Sequence, residues 1–449
     1  MNYQVAIIGG GPAGYTAAEK AGKAGLSVIL FEKEKIGGVC LNEGCIPTKT
    51  LLYSAKIYQQ ALESRHYAIT IPEVSFDLKR MVARKNKTVR KLTLGVNNKL
   101  KLANVTLVEG TAEVIDAHTI CCNEETYSFE NLLICTGSTS IVPPIKGLDS
   151  IQYWTHKEAL DVKELPQSLA IIGGGVIGME FASLFNSLGV EVTVIERMSE
   201  LLGSMDKELT ARLREEYEKR KLTYLLDTEV TAVNAIEEDK IQVHYKQGDE
   251  ENSLTASQLL LSVGRKPQLA KLGLDRLNFK RTNRGFIEVN KQLQSSYANI
   301  YICGDANGKS LLAHTAIREA EVAIHTILSK PDEMSYRAIP SVIYTNPEFA
   351  GVGETEESLQ EQDISYKKVA IPLAYSGRFT AENERVNGVC KLLFSEDETL
   401  IGAHVLGNPA SEIITLAGMA IELKLKAEEW GKIIFPHPTV GEIFKEALQ

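Results

Sequence analysis

Cys40 and Cys45 lie in Gly37-Gly38-Val39-Cys40-Leu41-Asn42-Glu43-Gly44-Cys45-Ile46-Pro47-Thr48-Lys49, directly after a glycine-rich loop and its acidic partner. Two thiols in this setting suit an exchange of electrons between a nucleotide cofactor and a thiol–disulfide pair. Pro47 fits an early helical position and Lys49 the next turn. N–H groups at a helix start and a nearby ammonium both favour the reactive thiolate. The competing reading is a pair of reduced structural cysteines. Gly37-Gly38 before the pair and Lys49 after it, within reach of a nucleotide loop, count against that reading. No zinc-like ligand spacing is present.

A second constellation is Phe435-Pro436-His437-Pro438-Thr439-Val440-Gly441-Glu442. A histidine between two prolines is rigidly presented and suits taking a proton from an incoming thiol. Glu442 could hold the other imidazole nitrogen, or serve Thr439 in a capping box before the final helix. Both readings stay open on sequence alone. The remaining five of the seven cysteines have no comparable context. Cys135, Cys303 and Cys390 sit in apolar runs and read as small buried hydrophobes. Cys121 and Cys122, adjacent in a strand, face opposite ways and do not suit a mutual bridge.

The elements that position these groups are two copies of one device. Val5–Ile8 form a strand, Gly9-Gly10-Gly11-Pro12-Ala13-Gly14 a turn, a helix runs to about Gly22, and Ser27–Phe31 form a strand ending at Glu32. Gly9 permits the tight turn, Gly11 lets the backbone approach a pyrophosphate, and Gly14 allows close helix–strand packing. Glu32 can accept ribose hydroxyls. The pattern returns at Ala170–Ile172, with Gly173, Gly175 and Gly178 in the turn and Val190–Ile195 leading to Glu196. Glu196 favours NAD over NADP, because it repels a 2′-phosphate; Arg197 beside it could soften the preference. Further strand ends carry Gly137, Gly264 and Asp305. Asp305 reads either as a ribityl or ribose contact or as a helix cap. Two dinucleotide sites suit one tightly held flavin and one exchangeable nicotinamide, with the flavin as intermediary to the thiols.

The 449 residues exceed one ordinary core. The expected class is α/β: two doubly wound dinucleotide-binding domains with a C-terminal α+β dimerisation domain. Boundaries fall at 1–145 (flavin binding), 146–267 (nicotinamide binding), 268–335 (a central part completing the first unit) and 336–449 (interface). In the last, strands are expected at Ser341–Tyr344, Ser365–Pro372, Gly388–Phe394 and Leu400–Leu406, and helices at 409–424 and 426–433. Hydrophobic content of 44% and a net charge of −9 fit a globular protein and argue against a nucleic-acid partner, since no strongly basic block offsets the charge. Neither a signal peptide nor an apolar stretch able to span a bilayer is seen, so a cytoplasmic location is expected.

Taken together, Gly37–Lys49, the two glycine loops, Cys303-Gly304-Asp305 and His437-Pro438-Thr439…Glu442 resemble the dihydrolipoamide dehydrogenases (E3) of the pyridine nucleotide–disulfide oxidoreductases, class I, across essentially the whole chain. The resemblance implies a glutathione-reductase-like homodimer with FAD and NAD. It assigns FAD contacts to Gly9, Gly11, Gly14, Glu32, Lys49, Gly137, Asp305 and Ala313. It assigns the nicotinamide region to Gly173, Gly175, Gly178, Glu180, Glu196 and Gly264, with Glu180 pairing Lys49. It further implies a redox-active Cys40–Cys45 disulfide, Cys40 exchanging with substrate and Cys45 facing the flavin. His437 and Glu442 then reach the disulfide from the partner subunit.

The implied reaction is oxidation of a dihydrolipoyl group with reduction of NAD⁺. Its partner is a lipoyl-bearing protein of a 2-oxo acid dehydrogenase, glycine-cleavage or acetoin complex. Val39 departs from the threonine usual before the first cysteine. Two rivals remain: an NAD(P)H-dependent reductase of another small disulfide such as glutathione, and a redox-inactive FAD/NAD-binding scaffold. Glu196 and the Leu-Asn-Glu-Gly spacer count against the first. The cysteine pair, Lys49 and the proline-flanked histidine together count against the second.

Overall fold

A computed structural model describes residues 2–237, 240–283, 285–384 and 387–449. The chain divides into two compact units: residues 1–50, 82–141 and 265–335 form one, and residues 51–81, 142–264 and 336–449 the other.

In the first unit, strand Asn2–Ile8 pairs in parallel with Val28–Glu32 on one side and with Glu125–Ile134 on the other. Thr106–Glu109 extends the sheet beyond Val28–Glu32, and Ile300–Ile302 adds in parallel to Glu125–Ile134. Val5, Ala6, Ile7, Val28, Ile29 and Leu30 are all buried. Such continuous apolar runs, rather than alternation, are what a parallel sheet covered on both faces requires. Glu113–Asp116 and Thr119–Cys122 add an antiparallel meander to the same sheet. Cys121 is partly exposed and Cys122 buried, as opposite faces of a strand demand.

The second unit repeats the plan. Its parallel sheet holds Thr223–Leu225, Glu191–Ile195, Ser168–Ile172 and Gln258–Leu261 in that order. A separate antiparallel meander follows, Thr228–Glu237, Lys240–Gln247 and Glu250–Ala256. Neither meander was expected from sequence.

The same unit carries a five-stranded antiparallel sheet containing Ser341–Ile343, Phe349–Gly353, Leu400–Leu406, Val389–Phe394 and Lys367–Pro372. Four of these strands match expectation. Phe349–Gly353 does not, because two glycines in five residues blur its pattern. Helices Ala410–Glu422 and Ala427–Gly431 lie where expected, and Ile413, Ile414, Ala417 and Ile421 of the first join the core with Leu392, Ala403 and Val405. The α/β class with a C-terminal α+β portion is therefore the fold observed.

Candidate active site

The cysteine segment is tied to the first glycine loop through its backbone. Gly37 N–H donates to Gly10 O at 2.8 Å. A Cβ on Gly38 would lie 2.7 Å from Gly11 Cα, and Gly37 and Gly38 have φ of +105° and +58°. Only glycine meets both demands. Helix Gly38–Glu43 starts at this junction and contains Cys40; helix Cys45–Leu62 follows and opens on Cys45.

The two cysteines form a disulfide with their Cα atoms 4.7 Å apart, inside the range a bridge requires. Cys45 therefore sits among the unpartnered N–H groups at the start of an 18-residue helix. The positive helix end favours its departure as a thiolate. Asn42, between the cysteines, donates through Nδ2 to Ile36 O at 3.1 Å and Gly38 O at 3.0 Å, bracing the turn. Lys49 lies one helical turn after Cys45 and is half-buried.

The two glycine loops are near-superimposable in their hydrogen bonding. Gly10 N–H donates to Glu32 Oε2 at 2.7 Å, and Glu34 N–H to Oε1 at 2.8 Å. In the second copy, Gly174 N–H donates to Glu196 Oε2 at 2.6 Å and Met198 N–H to Oε1 at 2.8 Å. Each carboxylate thus orders its own loop, while the second lone pair of each oxygen remains an acceptor for a ribose.

Gly9 and Gly173 take φ of +100° and +105°. A Cβ on Gly14 would fall 1.8 Å from Gly9 O, and one on Gly178 2.0 Å from Gly173 O. Helices Pro12–Lys23 and Val176–Ser187 begin at Gly11 and Gly175 with neither a side-chain cap nor an acid in the first turn. Such ends fit a pyrophosphate, which supplies the missing acceptors.

The other expected contacts are placed as follows. Gly137 and Gly264 have φ of +68° and +126°, each after a strand end. Ala313 opens helix Ala313–Ile327. Asp305 accepts the Ser138 hydroxyl and caps no helix; Arg265 Nε donates to Ser138 Oγ at 2.8 Å. Burial pushes the Asp305 carboxyl up and the Arg265 guanidinium down. Glu319, fully buried, holds the Asp305 turn by accepting Gly304 N–H at 2.6 Å and Asn307 Nδ2 at 2.9 Å. Ser138, Arg265 and Glu319 escaped the sequence reading. A buried acid on the apolar face of Ala313–Ile327 was the available signal.

Cys303 is hydrogen-bonded to Cys135, which with burial holds its thiol well above the usual range. It is inert by that environment. Glu180 is buried in Val176–Ser187, and its Oε1 accepts Tyr344 N–H at 3.1 Å.

At the C-terminal end, Glu442 satisfies both readings at once. Oε1 lies 2.9 Å from His437 Nδ1, and Oε2 accepts Thr439 N–H at 2.7 Å. The imidazole, with its side chain 79% exposed, presents Nε2 outward. Thr439 N–H and then His437 hold the Glu442 carboxyl below the usual range.

One expectation needs correction. Helix Leu78–Leu102 carries nine Lys and Arg and no acid over 25 residues, so a strongly basic block does exist within the net charge of −9. Among the described residues no helix is long and apolar enough to cross a membrane, and no group of three or more His, Cys, Asp or Glu is placed to hold a metal.

Residues 3–320 match the family model described as pyridine nucleotide-disulphide oxidoreductase, and residues 339–448 that family's dimerisation domain. Dihydrolipoyl dehydrogenase of Geobacillus stearothermophilus is 37% identical over 450 aligned residues, which cover 99% of this chain and 95% of that one. The enzyme of the same name from Mycoplasma pneumoniae is also 37% identical, covering 100% and 98%. Among solved structures, the HOCl-induced flavoprotein disulfide reductase RclA from Escherichia coli superposes with a TM-score of 0.88 at 28% identity, covering 99% of both chains. With its paired glycine loops and its loop-anchored disulfide, this chain belongs to the pyridine nucleotide-disulphide oxidoreductase family.

Proposed function

We propose that the protein is a homodimeric, cytoplasmic dihydrolipoyl dehydrogenase, oxidising a dihydrolipoyl group to its cyclic disulfide and reducing NAD⁺. The observation that carries this is the Cys40–Cys45 bridge hydrogen-bonded through Gly37 to the first glycine loop. A disulfide so anchored would adjoin a dinucleotide held by the first loop, and the second loop, ordered by Glu196, would take another.

Gly9, Gly11, Gly14, Glu32, Lys49, Gly137, Asp305 and Ala313 would hold FAD. Gly173, Gly175, Gly178, Glu180, Glu196 and Gly264 would serve NAD. When bound, the flavin would supply two-electron redox chemistry between the reduced cysteines and the nicotinamide.

The chain's own residues handle sulfur and protons. His437, its Nδ1 held by Glu442, removes a proton at Nε2 from one substrate thiol. The thiolate attacks Cys40 Sγ, the Cys40–Cys45 bond breaks, and Cys45 leaves as a thiolate at its helix start. The second substrate thiol attacks the sulfur now joined to Cys40. This closes the cyclic product and frees Cys40, which takes up a proton. The substrate is oxidised by two electrons and the protein disulfide reduced by two. His437 and Glu442 serve the disulfide of the partner subunit. The natural substrate is a lipoyl-bearing protein of an oxidative multienzyme complex.

Steady-state turnover tests the proposal. Dihydrolipoamide with NAD⁺ should give NADH, exceeding both NADP⁺ use and glutathione-disulfide reduction by NADH or NADPH. Cys45→Ser should abolish turnover and retain flavin. Turnover in that variant would exclude the relay through the pair. A preference for NADPH-driven disulfide reduction would move the assignment to the reductase direction.

A further inference from the structure

We infer that the exposed face of helix Leu78–Leu102 is a docking surface for an acidic lipoyl-bearing domain, steering its arm to the Cys40–Cys45 disulfide. This rests on the activity proposed above and goes further, by fixing the surface chemistry of the substrate's carrier.

Three observations carry it. The first is charge: nine of the chain's 49 Lys and Arg lie in this one helix, with no acid among them. Lys87 and Lys91, one turn apart, repel each other, and no acid on the helix relieves them. A local cost of this kind marks a surface kept for a partner.

The second is availability. Arg84 donates to Thr50 O at 2.9 Å, Lys85 is buried, and Lys99 pairs with Glu19 at 3.5 Å. Lys87, Arg90 and Lys91 are exposed, and among the described residues they make no ion pair. Leu94, 55% exposed, stands one turn from Arg90 and adds an apolar contact to the same patch.

The third is position. Thr93 Oγ1 donates to Asn42 Oδ1 at 3.4 Å, and Asn42 lies between the two cysteines. Arg90 precedes Thr93 by three residues, or about 4.5 Å along the helix axis. The basic patch therefore stands beside the turn that holds the disulfide. A free dihydrolipoamide molecule is uncharged and gains nothing from it. A macromolecular carrier with an acidic face gains steering and orientation. A nucleic acid would also seek positive charge, but a disulfide at the patch offers it no chemistry.

The experiment uses the flavin-loaded protein and two substrates: free dihydrolipoamide, and a recombinant dihydrolipoyl domain of acidic net charge. The triple variant Lys87→Glu, Arg90→Glu, Lys91→Glu is compared with the milder triple glutamine variant, and thermal melting checks the fold. The ratio of kcat/KM for the domain to that for free dihydrolipoamide should fall roughly tenfold or more in the glutamate variant, and less in the glutamine variant. Raising salt from 0.05 to about 1 M, which shortens screening to roughly 3 Å, should lower the wild-type ratio and leave the glutamate variant nearly unmoved.

An unchanged ratio overturns the docking surface, as does an equal loss on both substrates. So does patch-dependent binding of a single-stranded RNA probe with indifferent turnover of the domain. Failure of wild type to oxidise free dihydrolipoamide would instead sink the activity itself.

Discussion

Glu442 divides its carboxylate between two tasks, orienting His437 Nδ1 at 2.9 Å with one oxygen and capping Thr439 N–H at 2.7 Å with the other. The His437 imidazole and the last helical segment are thus held by one side chain. A glutamine at 442 keeps an acceptor for only one of the two partners and removes the negative charge behind the imidazole. We predict that Glu442→Gln lowers kcat on the order of tenfold and changes the pH profile, while His437→Gln lowers it roughly 10²- to 10⁴-fold. The Glu442 carboxyl is held low by Thr439 and His437. Its contribution is therefore present above the ordinary glutamate value and lost as pH falls through the depressed one. The carboxylate should therefore stay ionised to a pH below the ordinary glutamate value. An unchanged kcat–pH profile in Glu442→Gln would reduce the residue to a cap.

The duplicated loops separate two ligand losses. Gly14→Ala drives a methyl into Gly9 O, and Gly178→Ala does the same at Gly173 O. Gly14→Ala should yield protein without retained flavin. Gly178→Ala should keep the flavin spectrum and raise KM for NAD⁺ more than tenfold, since a misplacement of ~1 Å already costs on the order of 10²-fold. Flavin absorbance and NAD⁺ titration read the two effects separately.

Glu196 is bound to its loop through both carboxylate oxygens. Because Gly174 and Met198 both donate to it, Glu196→Arg should disturb the loop and not merely exchange cofactors. The expected result is a loss of more than about tenfold in kcat/KM with NAD⁺ and no efficient use of NADP⁺. Efficient NADP⁺ turnover would show that the loop does not depend on this acid.

Stability should depend on Lys391. This buried ammonium pairs with Asp206 at 2.8 Å, Glu208 at 3.0 Å and Glu356, and Asp206 also caps helix Lys207–Glu218. Burial opposes the charge, but Asp206 and Glu356 outweigh it and hold Lys391 protonated. Burial likewise acts against the Glu208 and Glu356 charges, and Lys391 outweighs it, lowering both carboxyls. Lys391→Met leaves fully buried Asp206 without its counter-charge and should cost roughly 3–5 kcal/mol, read by denaturant unfolding. The lowered acids contribute above their ordinary values and are lost as pH falls. Wild type should therefore lose stability in acid more steeply than the variant.

Much of the site was legible because its chemistry forces rare residue patterns. A glycine loop with an acid 23 residues on, twice over at a displacement of 164, is produced by little besides a pair of dinucleotide sites. Glu442 was ambiguous in sequence because capping and histidine orientation ask for the same acid at the same place; the structure shows that two oxygens allow both. Lys391 and Glu319 were silent because a buried charge looks like a solvated one until its partners, 185 and 12–15 residues away, are known. The two antiparallel meanders were missed because their strands mix polar and apolar residues on a half-exposed surface. The basic helix was hidden by averaging: a whole-chain charge of −9 says nothing of where the charges stand.

The central claim is that electrons from a dithiol enter through the Cys40–Cys45 bridge. The most direct measurement is alkylation of the protein after denaturation, with mass-spectrometric mapping, before and after one equivalent of dihydrolipoamide is added anaerobically. Before addition, five cysteines should label: 121, 122, 135, 303 and 390. After addition, new label should appear at Cys40 and Cys45 alone, and NAD⁺ should remove it. Full labelling of Cys40 and Cys45 in the oxidised protein, or oxidation of the dithiol with neither newly labelled nor joined to substrate, would contradict the account.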